Sequence, residues 1–128
     1  MVWRPSALGV WPIHGDFVGI NGEGGSNFSP ARFFPLRGKT SVTASVWCRS
    51  INAAKTAKVK MSIIALDKDN KPVSELLTVN ATGKHAQDWE RLQIKLPETP
   101  NAVWLHVILH GSAGGREGRI VFDDFTLE

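Results

Sequence analysis

SVTASVWCRS, residues 41–50, alternates without a break: Val42, Ala44, Val46 and Cys48 are small or apolar, and Thr43, Ser45, Trp47 and Arg49 fall between them. Successive side chains of a strand point to opposite faces, so a period of two predicts one apolar face and one carrying Trp47 and Arg49. AVWLHVILH, residues 102–110, repeats the pattern, with Val103, Leu105, Val107 and Leu109 on the core face and Trp104, His106, Ile108 and His110 outside. In Lys58–Leu66, Val59, Met61 and Ile63 point inward and Lys60, Ser62 and Ile64 outward. An outer surface with two tryptophans, two histidines and an arginine is unusual, because large aromatic residues turned to water mark binding surfaces.

Helix signals are nearly absent. Short apolar runs separated by Gly, Pro, Asn and Asp clusters predict strands near Asp16–Asn21, Arg32–Leu36, Ser41–Ser50, Lys58–Leu66, Glu75–Asn80, Glu90–Leu96, Ala102–His110 and Arg119–Leu127. Turns fall at NGEGGSN, LRGK, DKDNKP, ATGKHAQD, PETPN and HGSAGGREG, and AAKTAK has room for one helical turn. Asp and Asn tolerate turn geometry and bond the local backbone, which makes DKDNKP a hairpin signal. Strands without a βαβ unit predict an all-β fold: a two-sheet antiparallel β-sandwich, a jelly roll.

The 128 residues, 42% of them hydrophobic, form one domain over 1–128, with an uncertain opening segment at 1–13. A chain of this length buries roughly two-thirds of its unfolded surface. Fifteen basic against twelve acidic residues give +3, a scattered excess that permits an acidic partner without requiring one. The lone Cys48 excludes an internal disulfide and a multi-cysteine zinc site, and its phase makes it a small core residue. No stretch approaches the roughly 20 apolar residues of a membrane-spanning helix, and MVWRPSALGVW lacks the apolar core of a signal peptide.

The closing stretch GRIVFDDFTLE, residues 118–128, poses a problem. Strict alternation puts Asp123 on the face of Val121, Phe125 and Leu127, and Asp124 with Ile120, Phe122 and Thr126. A buried carboxylate has to be paired, hydrogen-bonded, protonated or bound to metal.

Several segments, in order, resemble a known family. HGDFVGINGEGGSNFSPARFFPLRGKTSVTASVWCRS, residues 14–50, is similar to a run in many carbohydrate-binding modules: a Gly-containing turn, a strand, a loop, an aromatic strand, Pro-Leu-x-Gly-Lys-Thr and a Ser-x-Trp strand. LDKDNKP resembles their mid-domain hairpin, DWERLQIKLP their Trp-x-x-Leu strand, and GRIVFDDFTLE their closing strand with Phe-Asp-Asp. The resemblance covers residues 14 to 128 and implies the galactose-binding-like jelly roll of modules appended to glycoside hydrolases. The chain departs from it at GKTSV, where the family has Gly-Lys-Thr-Tyr, and in having no tyrosine. The family's first strand is degenerate within MVWRPSALGVWPI or lost.

The resemblance implies a structural calcium ion near the end of the last strand. Asp123 would be the inward carboxylate, with partners from Gly15 or Asp16, since oxygen ligands suit Ca²⁺. Backbone N–H groups or an arginine are the alternative partners for Asp123. The resemblance also implies polysaccharide binding, with plant or algal β-glucans as first guess and acidic glycans such as uronates left open. Apolar sugar faces stack on flat aromatic rings and rim hydroxyls need donors and acceptors. Trp47 with Arg49, and Trp104 with His106 and His110, supply those parts and make one platform if their strands share a sheet. Cover from the N-terminal residues would instead make either tryptophan packing. Trp89 is expected to pack; Trp3 and Trp11 either edge a binding groove or close the sandwich.

Catalysis is not expected. Cys48 faces the core, His106 and His110 stand about 13 Å apart along a strand, and no pair of acids announces a hydrolytic cleft. The expected role is that of a non-catalytic module of a secreted enzyme, acting outside the cell and holding the attached catalytic domain on its substrate. A structural or adhesion jelly roll packing against another protein is the rival. Nucleic acid is a poorer fit because +3 is a weak funnel for a phosphate backbone.

Overall fold

The computed structural model describes residues 20–21, 27–28, 31–51, 57–112 and 119–128; Trp3, Trp11, Gly15, Asp16 and AAKTAK up to Thr56 lie outside them, as do the side chains of Asp123 and Asp124. Nine strands are described: β1 Ile20–Asn21, β2 Asn27–Phe28, β3 Ala31–Pro35, β4 Val42–Ile51, β5 Lys58–Leu66, β6 Leu77–Asn80, β7 Glu90–Leu96, β8 Trp104–Ser112 and β9 Arg119–Leu127. A single 3₁₀ turn, Lys84–Ala86, precedes β7. The strands form two antiparallel sheets, as the alternation predicts. One has the order β1-β9-β4-β7; the other has β2-β8-β5-β6, with β3 also paired to β8.

The core lies between the sheets. Val42, Ala44, Val46 and Cys48 of β4 meet Met61 and Ile63 of β5 and Leu105, Val107 and Leu109 of β8, all buried. Phe34 of β3 stacks on Phe125 of β9 with ring centroids 4.9 Å apart, joining the two sheets. Each large side chain buried here is worth about 1.5–3 kcal/mol. Val103, expected in the core, is 39% exposed because it precedes β8; its backbone bonds Leu36 and Leu66 instead.

The DKDNKP turn works as the sequence predicts. Asp67 Oδ1 accepts the N–H groups of Asp69 (2.8 Å) and Lys71 (3.0 Å), and Asn70 adopts φ 61°. In LRGK, Arg37 and Gly38 both have positive φ (53° and 86°); glycine takes this conformation in the tight reversal before β4 without the cost that an L side chain bears at Arg37.

The closing strand departs from strict alternation. β9 pairs with β4 in register from Arg119↔Ile51 to Asp123↔Trp47, then resumes at Thr126↔Ser45. Asp124 and Phe125 therefore stand against Val46 alone, which is a β-bulge. The extra residue changes the phase. Ile120 and Phe122 before it, and Phe125 and Leu127 after it, are all buried. The expectation that Asp123 shares a face with Phe125 and Leu127 is thus corrected, because it assumed an unbroken period of two.

Candidate functional site

The predicted platform divides between the two sheets. Trp47 and Arg49 lie on β4 of the four-stranded sheet; Trp104, His106 and His110 lie on β8 of the other. Both sets occupy outward positions, so the sandwich core separates them. A single surface carrying both tryptophans, expected if the strands shared a sheet, does not form. Alternation gives the face of a residue but not the sheet of its strand.

On the five-stranded sheet, β3 and β8 pair Phe33 with His106 and Pro35 with Trp104. Phe33 is 52% exposed and its ring lies flat on the His106 imidazole, with centroids 4.3 Å apart and planes 12° from parallel. Trp104 is half-buried one row further, about 6.6 Å along the strand. On the other flank Ile64 pairs with His106, Ser62 with Ile108 and Lys60 with His110. Phe33 was not singled out in the sequence, although a Phe33–Phe34 pair in one strand has to send its rings to opposite faces. Phe34 is the core member.

The electrostatics of this face are mild. Burial lowers the pKa of His106, and burial together with the Lys60 ammonium lowers that of His110. Both imidazoles are therefore neutral at pH 7, each presenting one donor and one acceptor. Lys60 pairs with His110, away from the Phe33, His106 and Trp104 rows.

The four-stranded face is different in character. Trp47 is 38% exposed and pairs with Arg91 of β7 on one side and with Asp123 of β9 on the other. Arg49 and Arg91 are exposed. Arg91 Nη2 donates to Ser45 Oγ at 3.2 Å, and Ser45 Oγ shares a 2.7 Å bond with Thr126 Oγ1. Trp89, expected to pack, is half-buried just before β7.

A second polar cluster is buried at the end of β7. Glu90 accepts from Thr82 N–H (2.7 Å), Thr82 Oγ1 (3.1 Å) and His85 N–H (3.1 Å). Ser50 Oγ lies 2.9 Å from His85 Nδ1. Glu90 bonds the main chain of His85 rather than its ring, so the three groups do not make a nucleophile, base and orienter series. They tie the turn before β7 to β4. Burial pushes the Cys48 thiol up to about 12, with the Glu90 charge adding to it, which removes it as a nucleophile.

The three expected calcium ligands have no described side-chain geometry: Gly15 and Asp16 lie outside the described residues, and the Asp123 side chain does too. Among the described residues, no three His, Cys, Asp or Glu side chains come together in a way that could hold a metal ion. Among the described residues, too, no helix is long and apolar enough to cross a membrane.

No family model and no curated protein matches the sequence. Solved structures do match. The fold is similar to a family 61 carbohydrate-binding module in complex with β-1,4-galactotriose, with TM-score 0.60 and 12% identity over 80% of this chain and 62% of that one. It is also similar to a family 16 carbohydrate-binding module, with TM-score 0.57 and 17% identity over 83% of this chain and 72% of that one. A third match is the enzymatically active domain of a bacteriophage tailspike protein, with TM-score 0.57 and 15% identity, of which the chain spans 13%. This chain has the jelly-roll fold of carbohydrate-binding modules, as the resemblance implied.

Proposed function

We propose that the domain binds a polysaccharide without acting on it and thereby holds an attached enzyme on its substrate. The binding surface is the outer face of the five-stranded sheet, with Phe33 and Trp104 as stacking rings and His106 and His110 as hydrogen-bonding groups. The observation that carries this is the exposed Phe33 ring lying flat against His106, one row from Trp104. A flat ring surface matches the apolar face of a sugar, and neutral imidazoles can both donate to and accept from its hydroxyls. The fold supports the same reading, since it recurs in modules that bind glycans. Plant or algal β-glucans are the first ligands to try, and the parent enzyme would work outside the cell.

Calcium belongs to this proposal on the resemblance alone, with Asp123, Gly15 and Asp16 as ligands. Thermal unfolding in calcium and in chelator checks it: bound calcium raises the melting temperature, and equal values remove it.

Affinity electrophoresis and calorimetry against mixed-linkage glucan, xyloglucan, xylan and mannan test the function. Phe33→Ala and Trp104→Ala are each expected to weaken binding about threefold to tenfold, the range expected for losing one ring contact. Binding that survives both substitutions but is lost in Trp47→Ala moves the site to the other sheet. No binding to any glycan by the folded domain favours the rival, an adhesion or packing surface, and sedimentation then looks for self-association.

A further inference from the structure

The outer face of the four-stranded sheet combines an exposed ring with a run of positive charge, and the proposed glycan site uses none of it. Its outward positions on β4 are Thr43, Ser45, Trp47 and Arg49, and on β7 Arg91, Gln93 and Lys95. None of these seven is acidic. Trp47 and Arg91 are direct cross-strand partners, so Arg49, two residues along β4, is a diagonal neighbour of Arg91 at about 7–8 Å. Lys95 follows on β7, about 13 Å beyond Arg91.

Arg91 is also held in place. Its guanidinium bonds Ser45, a buried residue whose hydroxyl is fixed in turn by Thr126. An arginine tethered across the strand toward the β4 surface presents its remaining N–H groups beside Trp47 with less ordering to do on binding. Asp123 of β9 takes the register position on the far side of Trp47.

We infer that this face is a second binding surface, for an acidic polysaccharide whose sugar carboxylates meet Arg49, Arg91 and Lys95 while a ring face stacks on Trp47. Two features set the ligand class. A planar arginine fork matches a carboxylate with two hydrogen bonds, and an exposed indole matches the apolar face of a sugar ring. Among the described residues, the outer face of the opposite sheet lacks this pairing: its lysines, Lys58 and Lys60, pair with Ser112 and His110, away from the exposed Phe33 ring, and Arg32 of β3 lies over the core ring of Phe34. This inference does not rest on the five-stranded face being a glycan site, since no residue is common to the two.

The test uses the folded domain with polygalacturonate and alginate as acidic probes, a neutral β-glucan, and double-stranded DNA as a polyanion with no pyranose face to stack. Polygalacturonate or alginate binds, more weakly as salt rises. Arg49→Gln with Arg91→Gln weakens it about tenfold or more, and Trp47→Ala about threefold to tenfold, with melting temperatures near that of the parent. Lys95→Gln, which leaves the Ser45 bond alone, weakens it in the same direction. Phe33→Ala leaves it unchanged, and Trp47→Ala leaves neutral glucan binding unchanged. The inference is overturned if neither acidic probe binds at low salt, or if the arginine substitutions have no effect. It is overturned equally if Phe33→Ala abolishes acidic binding, or if DNA binds as tightly as the glycans and ignores Trp47→Ala. Failure of neutral glucan to bind leaves this inference standing and removes only the five-stranded site.

Discussion

Glu90, on β7, is an acid that the alternation carries onto the core face. In ERLQIKL, Glu90 shares the phase of Leu92, Ile94 and Leu96, and all four are buried. It opposes Cys48 across the ladder. Thr82 N–H, Thr82 Oγ1 and His85 N–H meet its carboxylate, and the Gly83 N–H adds to them. Burial pushes the carboxyl up, but the bonds from Thr82, His85 and Gly83 outweigh it and hold it below its ordinary value. Glu90→Ala leaves these donors without their carboxylate partner at a partly buried site and is expected to cost about 1 to 3 kcal/mol in urea unfolding, whereas Glu90→Gln keeps an acceptor and costs less. The pH dependence follows in two steps. Burial lowers the pKa of His85 against the pull of Glu90, so the unfolded chain binds the proton more readily. Its contribution is therefore full above the ordinary histidine value of about 6.5 and is lost as pH falls below that toward the lowered folded value, with His106 and His110 adding the same sign. Glu90 contributes above its unfolded value of 4.5, and its share is lost only as pH drops below that toward the lowered folded value. Urea midpoints measured from neutral pH downward should fall first in the histidine range and again in the carboxylate range; a flat first range would mean the histidines are not buried neutral.

At the scale of elements, strand positions were legible and phase was legible wherever the ladder is regular. β5, β7 and β9 run where the period of two predicts them, because each strand has to bury one face. The two-residue β2 was not legible, since Asn27–Phe28 is too short to show a period. The bulge in β9 hid itself differently. VFDDFT reads as alternation with one residue too many, and only the pairing with β4 shows where the surplus goes. Removing it makes a sharp prediction. Without Asp124, Ile120, Phe122, Phe125 and Leu127 fall on one face of an unbroken strand, so this deletion keeps the cooperative transition at small cost. Deleting Val121 instead shifts Ile120, fully buried, to an outward position and brings Arg119 inward; that loss should reach about 2 to 5 kcal/mol or abolish folding. Circular dichroism melts of the two deletions decide it: equal damage from both would mean that the bulge is required for more than phase.

For the whole molecule, the sandwich turns one expected platform into two separated faces. Trp47 and Trp104 each sit outward on a long central strand, and the sequence offered no means of telling that the crossover puts those strands in different sheets. Two sheets pack about 10 Å apart, and ligands resting on the outer side chains lie further from each other still. At physiological salt that separation exceeds the screening length of about 8 Å, so an acidic chain over Arg49 and Arg91 exerts little field on a sugar over Phe33. The two sites should therefore be independent. Calorimetric titration of an acidic oligosaccharide into the domain saturated with neutral glucan should return the same affinity as titration into the free domain, and Phe33→Ala with Trp47→Ala should show the sum of the single effects. Displacement of one ligand by the other would place both on one face, leaving the other tryptophan to packing. Simultaneous occupancy would make the domain a bridge between a neutral and an acidic polysaccharide, holding the two chains at high local concentration to each other.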